Sequence, residues 1–303
     1  MSYTLTANMS CNVTTNAQFQ TWGSAISAVF ANSGWVQTAD TGQINWGTAP
    51  SPNAVSQTVG FEVWHMDDAL QTTTPVFLYV GYGSGAAAAG PALHFRVGSG
   101  SNTDFYAQGV GPLTGLIGPQ TGLIPLVPLG TYGNNTMQSL FCGDNNRMAM
   151  ALFCRGTTNN TYALSFTIER TVDATGAPTN DGVLAAWHQA PATVDGQLMW
   201  HPAIGTLEYE TSTSWAILTP GVGGSAVGSN TSVYPIYHTR GGGPFLNPGL
   251  NMLGYFQPEF TAGSANTFTF YGSNHTYMPL GNTGLFNQAH RDNNSIAYMI
   301  RWE

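Results

Sequence analysis

The sequence contains no lysine, and charged residues of either sign make up only 7% of its 303 residues. Soluble proteins usually carry about 25% charged residues, so ionic repulsion between copies of this chain is weak. The sequence has seven dispersed arginines and 15 acidic residues, which gives a formal net charge of −8. Because contacts to a phosphate backbone need clustered cations, this composition argues against a nucleic-acid partner.

Long apolar segments are also missing. Each hydrophobic stretch is interrupted by Gly, Pro or a polar residue well before the ~20 residues that a membrane span needs. The first residues, MSYT, show neither the basic nor the apolar region of a secretion signal. We therefore expect no membrane partner and assembly in a cytoplasm. In contrast, 42% hydrophobic and 12% aromatic residues are ample to drive folding into a packed core.

Cysteine is scarce and gives no sign of a metal site or a disulfide framework. The three cysteines are Cys11, Cys142 and Cys154. The turn residues 143–146 predict a hairpin that places Cys142 beside Arg147 and Cys154 opposite Asn135. Cys142 and Asn135 are then separated by about 23 Å of strand, whereas a disulfide tolerates about 6 Å between Cα atoms. We expect three free thiols.

One helix is predicted, over about residues 16–32. Its apolar residues recur at helical spacing: Phe19, Trp22, Ile26, Val29 and Phe30. Thr15 with Gln18 matches a capping box, and Gly34 suits a helix C-terminus. We interpret it as a structural helix that covers a sheet.

The rest of the chain has the pattern of strands and turns. Apolar and polar residues alternate in segments 59–64 and 92–97, and the apolar run 76–80 predicts a strand buried on both faces. Segment 131–190 predicts a β-meander. Later strands are predicted at residues 215–218, 233–238, 250–256, 267–271 and 296–302. Many short strands with regular turns favour an all-β fold, a β-sandwich or jelly roll with one short N-terminal helix.

The domain organisation predicted is a single large β unit over residues 1–303. The segment 111–130, rich in Pro, Gly and Leu, is the one candidate boundary, which would divide the chain into 1–110 and 131–303. The same segment could equally be an apolar loop buried against another subunit.

Motifs of common catalytic sites are missing. The phosphate-binding loop G-x-x-x-x-G-K is excluded because there is no lysine, and neither G-x-S-x-G nor H-E-x-x-H occurs. We expect no enzyme activity, no catalytic residues and no cofactor. His65 and Asp67 are the best candidates for metal ligands, because both would share one face of a strand. Two ligands do not make a closed site, and Asp67-Asp68 also fits a strand-ending turn, so the metal reading is the weaker one.

Two further patterns suggest contact with sugars. Glycoside hydrolysis needs paired carboxylates, and two pairs are close in sequence: Glu208 with Glu210, and Glu62 with Asp67. With 15 acidic residues, such pairs are expected by chance. Aromatic residues beside polar ones, in segments 187–189 and 234–238, suit stacking on sugar rings, although core packing is the commoner role of strand aromatics. The residues of a glycan site stay undefined by the sequence.

Several segments resemble a family of virion-associated structural proteins of tailed bacteriophages and prophages. The matching segments are ADTGQINW (39–46), GFEVW (60–64), PVFL (75–78), YGSG (82–85), CGDNNR (142–147), IERT (168–171), NPGL (247–250), YGSNHTY (271–277) and MIRWE (299–303). The resemblance runs nearly end to end and carries no catalytic motif. The segments around His94 to Arg96 and 111–130 depart from the pattern.

The resemblance implies a peripheral virion subunit, assembled in the host cytoplasm: part of a tail, tail fibre, neck or capsid decoration. Its expected partners are copies of itself, as a homo-oligomer that we take to be a trimer, and other virion proteins. The alternative function is a receptor-binding module that recognises host surface glycan. A lesser alternative is a polysaccharide depolymerase.

Overall fold

A computed structural model describes one helix with its surroundings and the strands given below. The described residues are 2–10, 15–54, 58–84, 91–98, 124–125, 136–155, 161–172, 177–190, 194–201, 206–211, 215–217, 224–225, 232–239, 245–256, 266–270, 273–279 and 296–301. They form one helix, α1 (Asn16–Asn32), and strands that pair in three antiparallel sheets. The mainly-β prediction is confirmed.

The strands are numbered in chain order. They are β1 (Ser2–Ser10), β2 (Val36–Gln37), β3 (Thr58–His65), β4 (Phe77–Ser84), β5 (Pro91–Gly98), β6 (Ile124–Pro125), β7 (Thr136–Asp144), β8 (Arg147–Arg155), β9 (Thr161–Val172), β10 (Pro178–Ala190), β11 (Val194–His201), β12 (Thr206–Thr211), β13 (Trp215–Ile217), β14 (Gly224–Ser225), β15 (Ser232–Thr239), β16 (Phe245–Phe256), β17 (Asn266–Phe270), β18 (Ser273–Pro279) and β19 (Ile296–Arg301).

The helix has the bounds that the sequence predicts. The side-chain oxygen of Thr15 accepts a hydrogen bond from the backbone N–H of Gln18, whose own side chain accepts one from the Thr15 N–H, so the capping box is present. Ser33 caps the C-terminus of the helix, and Gly34 follows with φ +90°, a conformation that other residues rarely adopt.

The helix packs on a five-stranded sheet, which we call the helix-backed sheet (order β2-β3-β4-β5-β6). Register pairs Leu78 with Val97, Val80 with Phe95 and Tyr82 with Leu93, and all six side chains are fully buried on the face toward the helix. Phe30 of α1 stacks on Trp64 of β3 with ring centroids 5.3 Å apart. Each such buried side chain stabilises the fold by roughly 1.5–3 kcal/mol.

The prediction that segment 76–80 is buried on both faces is wrong. Val76, Leu78 and Val80 are completely buried, but Phe77 and Tyr79 between them are only half-buried. They lie on the opposite face, which we call the outer face, beside Phe61 and His65 of β3. The apolar run resembles a strand buried on both faces because its outer face carries aromatic residues. These rings partly cover one another, as Phe61 and Tyr79 do.

The second sheet is the meander sheet, in the order β1-β7-β8-β9-β10-β11-β12. Its strands β7 to β12 follow one another in sequence, so the meander predicted for 131–190 is confirmed and extends to residue 211. The first strand of the chain, β1, pairs with β7 at the edge of this sheet. The sequence analysis missed β1, although Tyr3, Leu5 and Met9 carry part of a strand pattern.

The predicted register of the β7–β8 hairpin is wrong by two residues. Asp144 pairs with Arg147 across a two-residue turn, Asn145-Asn146, so Cys142 lies opposite Ala149 and Cys154 opposite Met137. Asparagine tolerates the tight turns of hairpins, and the ion pair of Asp144 with Arg147 (2.7 Å) closes this one. The separation along the strands stays too long for a disulfide between the two cysteines, roughly 17 Å for five residues. Free thiols remain a prediction.

The third sheet, the C-terminal sheet, has the order β13-β15-β16-β19-β18-β17, with β14 also paired to β15. Four of the five later strands predicted fall within one or two residues of β13, β15, β17 and β19, while β16 begins five residues earlier than predicted. β9 of the meander sheet lies close to β16, and β8 lies close to β19. The boundary segment 111–130 lies outside the described residues except for β6, which pairs with β5. The division at this segment stays a prediction.

Candidate functional site

The most concentrated polar chemistry of the described residues surrounds Glu62, on the helix side of β3. The Glu62 side chain is 1% exposed. Its Oε1 accepts a hydrogen bond from Nε1 of Trp46 at 2.9 Å, and its Oε2 accepts from Nε1 of Trp64 at 3.2 Å and from the hydroxyl of Tyr82 at 2.6 Å. Three neutral donors from three segments of the chain therefore converge on one buried carboxylate.

Strand alternation and two glycines create this arrangement. Glu62 and Trp64 share the inward face of β3, and Tyr82 stands opposite Gly60 in the register of β4. Trp46 comes from the loop after α1 and lies against the helix at Gly23, where a Cβ atom would be 1.8 Å from its ring. Its ring meets Tyr82 edge-on with centroids 4.7 Å apart. Only glycine at position 23 leaves space for the Trp46 ring.

Burial and the nearby Glu62 carboxylate raise the pKa of Tyr82 well above its ordinary value of 10.0. Burial is the larger cause, because it disfavours the charged phenolate, and the negative charge and hydrogen bond of Glu62 act in the same direction. Tyr82 therefore stays protonated and donates to Glu62. Since both Glu62 oxygens accept hydrogen bonds from the protein, the arrangement serves to hold the 38–50 loop on the sheet.

The metal hypothesis rested on His65 and Asp67 sharing a strand face, and that premise is wrong. β3 ends at His65, and Asp67 is exposed beyond its end, with its N–H donating to the carbonyl oxygen of Asn145 at 2.9 Å. Nδ1 of His65 lies 2.7 Å from the carbonyl oxygen of Met66. In the described part of the chain, no three His, Cys, Asp or Glu side chains gather as a metal site. The turn after β3 lies at residues 69–73, just beyond the Asp67-Asp68 position that the sequence predicts.

A buried ion pair that sequence reasoning missed joins the meander sheet to the loop after β3. Nε and Nη2 of Arg170 on β9 donate to the two carboxylate oxygens of Asp68, at 2.5 and 3.0 Å. The side chains are 1% and 8% exposed. Thr74 accepts a further bond from Nη1 of Arg170 at 3.4 Å. This ion pair ties the meander sheet to the loop after β3.

The same loop is held by the β7–β8 hairpin. The Asn145 side chain donates to the carbonyl oxygen of Asp67 at 2.7 Å, and Nε1 of Trp35 donates to the carbonyl oxygen of Asp144 at 2.9 Å. The turn therefore docks between the end of α1 and the loop after β3. No sequence pattern marks these contacts, because each joins residues far apart in the chain.

The outer face of the helix-backed sheet carries a second, aromatic cluster. Phe61 and Tyr79 lie nearly parallel, with centroids 5.2 Å apart and planes at 18°. His65 meets Phe77 at 5.5 Å, and Val36, 40% exposed, pairs with His65 in the register of β2. The aromatic residues are half-buried, so this face combines ring surfaces with access to solvent.

For the remaining residues that the sequence suggested as sugar contacts, the structure gives only the strand on which each lies. Glu208 and Glu210 lie on one face of β12, segment 187–189 belongs to β10, and segment 234–238 belongs to β15. Their side chains lie outside the described part. Glu62 and Asp67, the other carboxylate pair, differ in setting, because Glu62 is buried toward the helix and Asp67 is exposed.

Within the described residues, no helix is long and apolar enough to cross a membrane. Comparison with models of protein families, with curated proteins and with solved structures finds no match to this chain.

Proposed function

We propose that the chain is a non-catalytic structural subunit at the periphery of a tailed-bacteriophage particle. The observation that carries this proposal is how its buried charges are used. Glu62 holds a loop on a sheet, and Asp68 with Arg170 joins the meander sheet to the loop after β3. In a chain with only 7% charged residues, charges buried in contacts of this kind suit a building element better than a reaction centre.

The fold that we propose is a β-sandwich in which the meander sheet and the C-terminal sheet are the two layers. The proximity of β9 to β16 and of β8 to β19 supports it. The strict succession of β7 to β12 favours a meander sandwich over a jelly roll, whose strands would alternate between sheets.

Assembly with sister copies and other virion proteins follows from the surface chemistry. The chain is poor in charge and rich in Ser, Thr, Asn and Gly, so copies repel each other weakly. Among the described strands, β12 ends the meander sheet and β17 ends the C-terminal sheet. A sheet edge presents backbone N–H and C=O groups that can pair with another chain. We propose that the chain forms a symmetric homotrimer.

The proposal that the chain belongs to a phage particle rests on the resemblance of segments such as 39–46 and 142–147 to virion proteins. Two measurements test the proposal. Mass photometry of the recombinant chain gives its copy number, and mass spectrometry of washed, infectious particles detects it as a component. We expect an oligomer and its presence in the particle. A stable monomer at micromolar concentration contradicts the assembly role, and absence from the particles contradicts the virion role.

Recognition of a host surface glycan is the second candidate function. The observation that favours it is the half-buried aromatic cluster on the outer face, formed by Phe61, Tyr79, Phe77 and His65. Apolar clusters that reach the surface mark interaction sites more often than isolated apolar residues do. Adsorption of the labelled protein to host cells tests this role, and failure to adsorb counts against it.

A further inference from the structure

We propose that residues 38–46, the guard segment, close a latent strand-pairing edge of β3, and that release of this segment lets β3 pair with the β3 of a second copy of this chain. The device is independent of the virion and receptor roles proposed above. It consists of a surface that is covered in the folded chain, the segment that covers it and the partner that fits it once it is open.

The edge of β3 that faces away from β4 is covered by a strand only at one end. β2 has two residues and pairs with the last two residues of β3. Beyond them the guard segment continues the pairing at separate points. The N–H of Thr38 donates to the carbonyl oxygen of Val63, and the N–H of Ile44 donates to the carbonyl oxygen of Phe61, each at 2.9 Å.

Between these two points the side chain of Gln43 takes the place of a peptide group. Its Oε1 accepts from the N–H of Val63 at 2.7 Å, and its Nε2 donates to the carbonyl oxygens of Thr38 at 2.7 Å and Asp40 at 3.3 Å. In a regular antiparallel ladder the Thr38 carbonyl would accept directly from the Val63 N–H. A glutamine amide offers an acceptor oxygen and N–H donors, as a peptide group does, so it satisfies this edge without a neighbouring strand.

The middle of the guard segment has few other contacts with the sheet. Its exposed residues are Ala39, Thr41, Gly42 and Asn45. A Cβ atom added at Gly42 would meet nothing within 4 Å beyond its chain neighbours, whereas one added at Gly60 would lie 2.9 Å from the side chain of Ile44. The guard segment is therefore packed at its C-terminal end, and Gln43 is the contact that holds its middle on β3.

The composition of β3 shows why its edge needs a cover and which partner fits it. Sheet edges are commonly protected from pairing by lysine and other charged residues. This chain has no lysine, and the one Asp, Glu or Arg residue of β3 is Glu62, which is 1% exposed on the helix side. Release of the guard segment opens the same edge on every copy, and two identical edges pair antiparallel about a twofold axis. Such a contact closes after two copies, so a second copy is the partner.

The test opens the edge in the full chain with Gln43→Ala, which removes the bridging amide. Gln20→Ala is the matched control, because it removes a 2.8 Å bond from a glutamine amide to the carbonyl oxygen of Ala49 and leaves β3 unchanged. Hydrogen exchange followed by mass spectrometry reports on the backbone of residues 59–65, and analytical ultracentrifugation gives the mass, both at low and at high protein concentration. Melting temperatures show that each variant is folded. Should Gln43→Ala not fold, Gln43→Asn, whose amide is one methylene too short to bridge, replaces it.

At low concentration we expect residues 59–65 of Gln43→Ala to exchange about fivefold faster than in the wild type, because the Val63 N–H has lost its acceptor. At high concentration the variant should reach twice the mass of the wild-type species, and exchange of residues 59–65 should slow again because a partner strand covers them. Gln20→Ala should match the wild type in both measurements.

Three results overturn the proposal. Unchanged exchange at low concentration shows that Gln43 does not close the edge. Faster exchange without a doubling of the mass rules out a second copy as the partner. A doubling of the mass without renewed protection of residues 59–65 shows that the copies pair through another surface.

Discussion

The hydroxyl of Tyr82 donates a 2.6 Å hydrogen bond to Oε2 of Glu62, and both side chains are buried on adjacent strands of one sheet. The other partners of the carboxylate, Trp46 and Trp64, are also neutral. A buried carboxylate is stable without a cation when several donors replace its water shell. The pair therefore fixes β3, β4 and the loop that carries Trp46 relative to one another.

Replacing Glu62 with Gln tests this role. A glutamine offers one acceptor oxygen and one amide donor, so at least one of the three N–H or O–H donors loses its acceptor. We expect Glu62→Gln to lower the free energy of unfolding by about 1–3 kcal/mol, measured by urea denaturation followed by circular dichroism. Asp40→Asn is the matched control. Asp40 is half-buried and accepts a 2.6 Å bond from Thr38, so its loss should cost less. Equal losses in the two variants contradict the role.

Tyr82 makes stability sensitive to alkaline pH. Its pKa in the folded state lies well above 10.0, its ordinary value. Above pH 10 the unfolded chain releases this proton and the folded chain keeps it, so unfolding becomes more favourable as pH rises. The fall is about 1.4 kcal/mol per pH unit for one proton until the folded pKa is reached. Below pH 10 the group is protonated in both states and its ionisation contributes nothing to the pH dependence.

The variant Tyr82→Phe isolates that effect. It loses a hydrogen bond and is less stable at every pH, but its loss of stability from pH 9 to pH 11 should be smaller than in the wild type. Urea denaturation at the two pH values gives the comparison. Parallel losses in the wild type and in Tyr82→Phe show that Tyr82 is not the group responsible.

Gly23 should reverse the usual effect of glycine in a helix. Glycine to alanine normally stabilises a helix by about 0.5–1 kcal/mol. At position 23 the added Cβ would lie 1.8 Å from the ring of Trp46, so the ring or the helix must move. We expect Gly23→Ala to destabilise the fold by about 1–3 kcal/mol and to shift the tryptophan fluorescence. Ser24→Ala, at an exposed position of α1, is the control and should change stability by less than about 0.5 kcal/mol. A stabilised Gly23→Ala contradicts the packing described.

The features predicted from the sequence are those encoded by neighbouring residues. The bounds of α1 follow from Thr15, Gln18 and the apolar spacing up to Phe30, all of which lie within one helix. The strands β8 and β9 follow from local alternation and from the turn residues between them. Even there, the register failed by two residues, because the four turn-forming residues 143–146 do not show that only Asn145 and Asn146 form the loop.

The sites depend on contacts that no local pattern encodes. Arg170 and Asp68 are 102 residues apart in sequence, and Trp46 and Glu62 are 16 apart across a loop and a strand. Alternation placed Glu62 on one face of β3, but it could not show which donors meet there. The outer aromatic face was hidden for the opposite reason. Its apolar residues, such as Phe77 and Tyr79, have the composition of a core, and only the structure shows that they are half-buried.

The two aspartate–arginine pairs of the described region differ in burial, and this difference predicts their stabilities. Asp68 and Arg170 are 8% and 1% exposed, whereas Asp144 and Arg147 are 28% and 25% exposed. Asp68→Ala removes the carboxylate that Arg170 contacts through two hydrogen bonds in a buried setting, so we expect the free energy of unfolding to fall by about 3–5 kcal/mol. Asp144→Ala removes a solvent-screened pair worth about 0–1 kcal/mol. Urea denaturation of both variants gives the comparison.

Added salt should weaken the Asp144 pair and leave the Asp68 pair nearly unchanged, because solvent ions do not reach the buried charges. If Asp68→Ala costs no more than Asp144→Ala, the meander sheet is not held to the helix-backed sheet by this ion pair, and the docking of the β7–β8 turn must account for the junction instead.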